Sequence, residues 1–249
     1  MIIVLIALSC LFVAIGYMVT ENNAKYLLSG YNTMTEEERK TFDLESYIPA
    51  FRKFHLFLGV SLLLPGVGLE FLAGEKVAGI FLVVYPLAAY IVFFWMGKKY
   101  YTRQSLKRNR IGIAILIATL VFVVALLFVG FKENKITITP GKISIEGMYG
   151  ENLLASEIES VSIVDSLPEI TLRTNGFALG NIRKGYFRTD KGERIKLLLN
   201  ANHKPFLLIL KKTGEKVYYS AAGNRNKAIF AEIQAGLPSV SGSAGSGTN

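Results

Sequence analysis

Apolar and polar positions divide this chain into two halves with different periods. Met1 to Thr20 is an uncharged apolar run, and at 1.5 Å per residue its length covers about 30 Å of hydrocarbon. Phe54 to Trp95 is too long for one span and is interrupted at Ala73-Gly74-Glu75-Lys76. Ile111 to Phe131 is uncharged again. The pattern predicts four membrane spans, at about 1–20, 54–72, 77–96 and 111–131. From Lys132 the long runs give way to short alternating stretches separated by turn residues, the pattern of an all-β region.

Within that second half, Ile136-Thr-Ile-Thr139, Pro140-Gly141 and Lys142-Ile-Ser-Ile-Glu146 read as a hairpin. Further strands are expected over Ile158–Asp165, Ile170–Thr174, Lys184–Thr189, Arg194–Leu199, Pro205–Lys211 and Lys216–Ser220, with Asn175-Gly176 as a turn. Asn226 to Gln234 places Ile229, Phe230 and Ile233 on one helical face. The expectation is a barrel of about seven strands over 133–236, closed by a C-terminal helix. The Gly/Ser-rich tail, 237–249, cannot bury apolar surface and reads as disordered.

Between the first two spans, Glu21 to Lys53 is polar. Thr35-Glu36-Glu37-Glu38 has the form of a capping box, so a short helix is expected from Glu36. A second begins near Tyr47 and carries Phe51 and Phe54 beside Arg52 and Lys53, a combination suited to a membrane surface.

Charge settles orientation more than class. The chain has 249 residues, is 51% hydrophobic and carries a net charge of +9. Much of that charge sits in one loop, 97–110, through Lys98, Lys99, Arg103, Lys107, Arg108 and Arg110. The loop after the first span holds Lys25, Arg39, Lys40, Arg52 and Lys53, whereas the turn after the second holds only Lys76. The positive-inside rule therefore places loops 21–53 and 97–110 in the cytoplasm. Four spans then put the N-terminus and the C-terminal region outside a cell membrane. No clustered basic motif of a nucleic-acid reader is present, so the lipid bilayer and a protein or peptide are the expected partners.

Two resemblances bear on identity. Asn23-Ala-Lys-Tyr-Leu-Leu-Ser-Gly-Tyr-Asn-Thr-Met34, followed by Glu36-Glu-Glu-Arg39 and Asp43, resembles an uncharacterised family of small bacterial multi-span membrane proteins. Ile158-Glu-Ser-Val161, Leu167-Pro-Glu-Ile170, Arg173-Thr-Asn-Gly176, Gly185-Tyr-Phe187 and the closing helix resemble bacterial pleckstrin-homology-like (PH-like) domains. The second resemblance implies a seven-stranded, partly open barrel capped by a helix, and a binding role rather than catalysis. Neither resemblance brings a ligand.

Catalytic chemistry is hard to assemble from these residues. Cys10 is the one cysteine and lies inside an apolar run, so no internal disulfide or cysteine metal site is expected. His55 and His203 stand far apart with no ligand-spaced neighbour. No phosphate-binding loop or nucleophile elbow occurs, and no cofactor is expected. The reading is a non-enzymatic membrane protein that displays a binding module, the alternative being an accessory or regulatory subunit of a transport or signalling complex. Arg183, Lys184, Arg188, Lys191 and Arg194 form the densest basic patch of the β region and are the candidate partner-binding residues. Tyr31 and Asn32 of the Gly30–Met34 segment are a second candidate, although that segment also reads as a simple turn.

Overall fold

The computed structural model describes residues 1–101, 105–223 and 225–237, without the side chains of Ser105 and Arg108. Arg103 and the expected disordered tail from 238 onward lie outside the described residues. The chain divides into two compact units, one up to Leu126 and one from Leu127.

The first unit is helical. It contains α1 (Ile2–Met18), α2 (Ala24–Leu27), α3 (Glu36–Lys40), α4 (Leu44–Ala73) and α5 (Glu75–Met96), a 3₁₀ turn over Gly97–Tyr100, and then most of α6 (Ser105–Phe131), whose last residues, from Leu127, belong to the second unit. Three helical stretches are long and apolar enough to cross a membrane: Leu44–Ala73, Glu75–Tyr100 and Asn109–Phe131. The first expected span is a shorter apolar helix of 17 residues. The surface helix expected from Tyr47 and the span expected from Phe54 are one uninterrupted helix, α4. The helix begins at Leu44 rather than near Tyr47, so Pro49 is its sixth residue, past the first turn, and has no N–H to donate to the Glu45 carbonyl oxygen. Gly74, at φ 84°, ends α4 in a conformation that favours glycine.

Small residues let α1 lie directly on α4. A Cβ on Gly66 would stand 2.6 Å from Leu5 Cδ2, and one on Gly59 would stand 2.6 Å from Val13 Cγ2 and 2.8 Å from the Ser9 carbonyl oxygen. A Cβ on Gly16 would stand 2.8 Å from His55 Cβ. Numbers on α1 rise as those on α4 fall, so the two helices run antiparallel along nearly the whole of α1. This is close packing through small residues, the usual means by which helices associate where there is no water to expel.

Two sets of polar groups in this unit are paired. His55 is buried, with Nδ1 2.8 Å from the Phe51 carbonyl oxygen and Nε2 2.9 Å from Tyr90 Oη. The expected capping box is formed: the Glu38 amide donates to Thr35 Oγ1 at 3.2 Å, and the Thr35 amide donates to the Glu38 carboxylate at 2.9 Å. Met34, Phe42, Tyr47, Phe51 and Phe93 form a buried cluster at one end of α4 and α5.

The second unit holds two sheets and a final helix. The first sheet has antiparallel order β1 (Ile136–Thr139), β2 (Lys142–Ile145), β3 (Glu151–Leu154). The second is built from β4 (Ile158–Val164), β5 (Ile170–Leu179), β6 (Ile182–Thr189), β7 (Arg194–Asn200), β8 (Phe206–Lys211) and β9 (Lys216–Tyr219) in the order β4-β8-β9-β7-β6-β5. All its pairings are antiparallel except β7 with β9. Helix α7 (Asn226–Gly236) packs against β1, β4 and β8.

Ile143, Ile145 and Leu153 of the small sheet meet Val161, Leu198, Ile209 and Val217 of the large one, and Ile229 and Ile233 of α7 complete this core. Phe187, Ile195, Leu197, Leu199, Phe206 and Tyr218 form a second cluster on the other face. Strand β7 is therefore covered on both faces, which explains its continuous run Ile195-Lys-Leu-Leu-Leu199. Leu237, expected in the tail, is buried in the first core.

Three details depart from the sequence pattern. The described strands number nine rather than about seven, and β3 has no alternating signature. One pairing is parallel. Asn175-Gly176 is not a turn: β5 runs through it, and the reversal falls at Gly180-Asn181. A Cβ on Gly176 would stand 2.2 Å from the Lys184 carbonyl oxygen, and one on Gly185 would stand 2.4 Å from that of Asn175. The glycine serves close approach of two strands at a bulged register, not chain reversal.

Tyr219 ties the core to the segment before β1, its hydroxyl donating to the Asn134 carbonyl oxygen at 2.9 Å. Burial, with the Glu133 carboxylate nearby, pushes its phenol up to about 12. The folded chain thus keeps a proton that the unfolded chain releases near pH 10. Stability should fall as pH rises from about 10 towards 12. Tyr219→Phe should flatten that fall while costing about 1 kcal/mol at neutral pH. Unfolding midpoints measured from pH 8 to 11.5 would check both effects, and an unchanged alkaline slope would refute the assignment.

Candidate functional site

The five basic residues of the expected patch do not share one surface. Side chains alternate across a strand, so Arg183 and Lys184 point to opposite faces of β6. Arg183 turns back on its own chain, with Nη1 2.5 Å from the Gly180 carbonyl oxygen and 3.3 Å from that of Ile182. Lys184 is buried, and its Nζ donates to the Lys132 carbonyl oxygen. Burial lowers its pKa, against the pull of Glu133. Both residues are engaged within the fold.

Arg188, Lys191 and Arg194 do gather, at the closed end of the β6–β7 hairpin. Arg188 and Arg194 are direct cross-strand partners, and Lys191 lies in the turn that joins the strands. All three are exposed. Directly opposed residues have Cβ atoms about 4.5–5.5 Å apart, and like charges there destabilise the pair. Among the described residues neither arginine has an ion-pair partner. Glu193, the nearest carboxylate in sequence to Arg194, is held instead by Lys216 at 2.7 Å.

Two residues along on the same face stands Tyr186, paired across the strands with Lys196. The Arg194 guanidinium lies 4.1 Å from the centre of the Tyr186 ring, and Lys196 Nζ lies 5.4 Å from it. Tyr149 meets the same ring edge-on at 6.2 Å, and its hydroxyl donates to Asn175 Oδ1 at 2.7 Å. The aromatic face fixes Arg194 in position by cation–π attraction while leaving its N–H edge available.

Beneath this exposed rim lies a charge network that the sequence pattern did not suggest. Lys196 Nζ is 2.9 Å from Glu151 Oε1, Lys211 Nζ is 2.6 Å from Glu151 Oε2, and Lys211 also reaches Glu215 at 2.6 Å. The side chains of Lys196, Lys211 and Glu151 are 4%, 14% and 18% exposed. Burial opposes the charge of Lys211, but hydrogen bonds to Glu151 and Glu215 outweigh it and raise its pKa. Lys196 is therefore neutralised inside the fold, whereas Arg188 and Arg194 are not. In the sequence the network's one trace is Lys196 itself, a charge set in an otherwise apolar run of β7.

Tyr31 and Asn32 play a local part. Arg39 clamps the turn by donating from Nε to the Tyr31 carbonyl oxygen at 3.2 Å and from Nη2 to that of Asn32 at 2.9 Å. The Tyr31 ring packs on Phe42 at 5.4 Å. Gly30, at φ 89°, supplies the reversal, and Thr33 Oγ1 donates to its carbonyl oxygen at 3.1 Å. The Asn32 side chain is exposed. Among the described residues no group of three or more metal-ligating side chains occurs.

Residues 6–101 match a family model described as Domain of unknown function (DUF3784). The match runs from α1 through the 3₁₀ turn after α5 and includes the Gly30–Met34 segment, in keeping with the resemblance noted for that region. No curated protein and no solved structure matches the chain.

Proposed function

We propose that this chain is a non-catalytic, multi-pass protein of a bacterial cell membrane whose helices display a PH-like module that binds an acidic peptide or an anionic envelope component. The observation that carries the reading is the opposed Arg188–Arg194 pair, exposed and, among the described residues, without a carboxylate partner, with Arg194 oriented on Tyr186. Such a pair carries a repulsion that an anion bridging both guanidinium groups would relieve. Two packed sheets with α7 against β1, β4 and β8 support the PH-like reading. The nine strands and the parallel β7–β9 pair set it apart from the seven-stranded pattern.

The test is direct. The purified full chain should bind a polyglutamate peptide at low salt, and Arg188→Glu with Arg194→Glu should weaken binding by tenfold or more, about the effect of losing a charge-assisted pair. Arg183→Glu should change it little, because that side chain faces away and is already bonded. Equal binding by all three proteins would overturn the site.

Four spans remain the proposed topology. The antiparallel seating of α1 on α4, with Leu5 beside Gly66 and Gly16 beside His55, supports α1 as a fourth crossing alongside α4. With loops 21–53 and 97–110 cytoplasmic, the second unit is then extracytoplasmic. Paired reporters fused after residue 237, one active only inside the cell and one only outside, should report an external terminus. An internal terminus would remove one span or reverse the orientation.

The alternative, an accessory or regulatory subunit of a transport or signalling complex, is favoured by one feature. None of the 18-residue apolar window within Asn109–Phe131 is buried in the chain, which leaves α6 a free face for another membrane helix. Partners that co-purify with the full chain but are lost on replacing α6 by polyleucine would support it.

A further inference from the structure

A groove of about 920 Å³ lies between α4 and α5, large for a small-molecule site, and none of the residues discussed above as partner-binding contribute to it. Phe54 and Phe57 on α4 and Val92 and Phe93 on α5 line it, with Ala88 and Ala89 keeping it open between them. It extends along α5 from Tyr85 to Met96, roughly 16 Å at 1.5 Å per residue. Tyr85 is bonded to Ser61 at 2.5 Å, which fixes that end of the groove.

The other end is charged. Lys53 of α4 and Lys99 after α5 both line the groove there, and both side chains are exposed. Lys99 Nζ lies 4.9 Å from the centre of the Tyr100 ring, and Tyr100 in turn meets Tyr47 edge-on at 5.4 Å. Among the described residues neither lysine has a carboxylate partner. Both helices are long and apolar enough to span, so the lysine-bearing end lies at headgroup level and the apolar length lies in hydrocarbon.

We infer that this groove is a binding site for an anionic phospholipid, with an acyl chain between α4 and α5 and the phosphate bridged by Lys53 and Lys99. The charge complementarity of the two lysines selects the headgroup. The small residues at positions 88 and 89 admit the chain. The inference depends on α4 and α5 spanning and is independent of the Arg188–Arg194 site.

The full chain, purified in a mild detergent, would be offered phosphatidylglycerol and phosphatidylcholine of identical acyl composition and examined by native mass spectrometry. Phosphatidylglycerol should be retained about thirtyfold better, what two lysines near a surface contribute. Lys53→Gln with Lys99→Gln should bring its retention down to that of phosphatidylcholine. Both side chains are exposed, so the thermal midpoint in detergent should stay unchanged. Ala89→Trp, which fills the groove and keeps both charges, should lower retention of both lipids.

Equal retention of the two lipids by the wild-type chain would overturn the inference, as would undiminished preference in the lysine double variant. Unchanged retention in Ala89→Trp would place the acyl chain elsewhere and overturn it too. In a Cys10→Ser background, efficient disulfide linking of two chains through Ala89→Cys in native membranes would assign the groove to a second copy instead.

Discussion

Replacing Glu151 by alanine should destabilise the strand-rich unit by about 3–5 kcal/mol, the range for leaving a buried charge without its partner. The expectation rests on geometry. One carboxylate neutralises Lys196 at 2.9 Å and Lys211 at 2.6 Å, and Lys196 is 4% exposed. Lys211 would keep Glu215, but among the described residues Lys196 would retain only the face of the Tyr186 ring. An ammonium group so placed must rearrange, admit water or lose its proton, and each of these disturbs β7, the strand covered on both faces. The network itself need not be a large net stabiliser, since apolar replacements of buried ion pairs are often neutral. Glu151→Leu with Lys196→Met should accordingly recover much of the loss. Hydrogen exchange of the β7 amides in the full chain would read both variants. A Glu151→Ala loss under about 1 kcal/mol would mean that solvent screens the network as at a surface.

Gly59→Leu should be the most damaging single change in the helical unit. Its Cβ alone would lie 2.6 Å from Val13 Cγ2 and 2.8 Å from the Ser9 carbonyl oxygen. Backbone cannot swing aside as a side-chain tip can, so α1 must be displaced from α4. Overpacking of this kind costs about 1–3 kcal/mol or more. Gly68→Leu is the matched control: nothing lies within 4 Å of a Cβ there, and leucine is the better helix former. Thermal midpoints of the two variants in detergent should separate clearly, with Gly59→Leu lower and Gly68→Leu at or above the wild type. Coincident midpoints would show that α1 and α4 are not held by this contact.

What could be read from the sequence was local. The Thr35–Glu38 capping box involves residues three apart and formed as written. The apolar runs, the β1–β2 hairpin and the apolar face of α7 likewise carry their own periodicity. Contacts between distant segments left no such trace. Asn175-Gly176 has the composition of a turn, yet Gly176 is required by Gly185 on the neighbouring strand. The basic run at 183–194 looked like one patch in one dimension. Strand alternation turns Arg183 to the opposite face and back to Gly180; Lys184 shares the face of Arg188 but is buried against the segment before β1, which leaves Arg188, Lys191 and Arg194 at a common exposed end. Glu151, which neutralises Lys196, sits in the strand that had no alternating pattern. The α4–α5 groove was equally invisible, because its lysines belong to two segments joined only by helix packing.

The placement of β9 constrains how the protein can be made. In the large sheet, β9 lies between β7 and β8 and bonds to both. Without it the sheet is two pieces, β4 with β8 and β5-β6-β7. Among the described strands this four-residue strand is the last in chain order, after all the proposed spans. The strand-rich unit must therefore wait until β9 has been made before its halves can be joined. In the proposed topology the incomplete strands reach the far side of the membrane first, with open edges exposed to whatever chaperones and proteases work there. Truncation anywhere before Lys216 would leave those edges permanently unpaired.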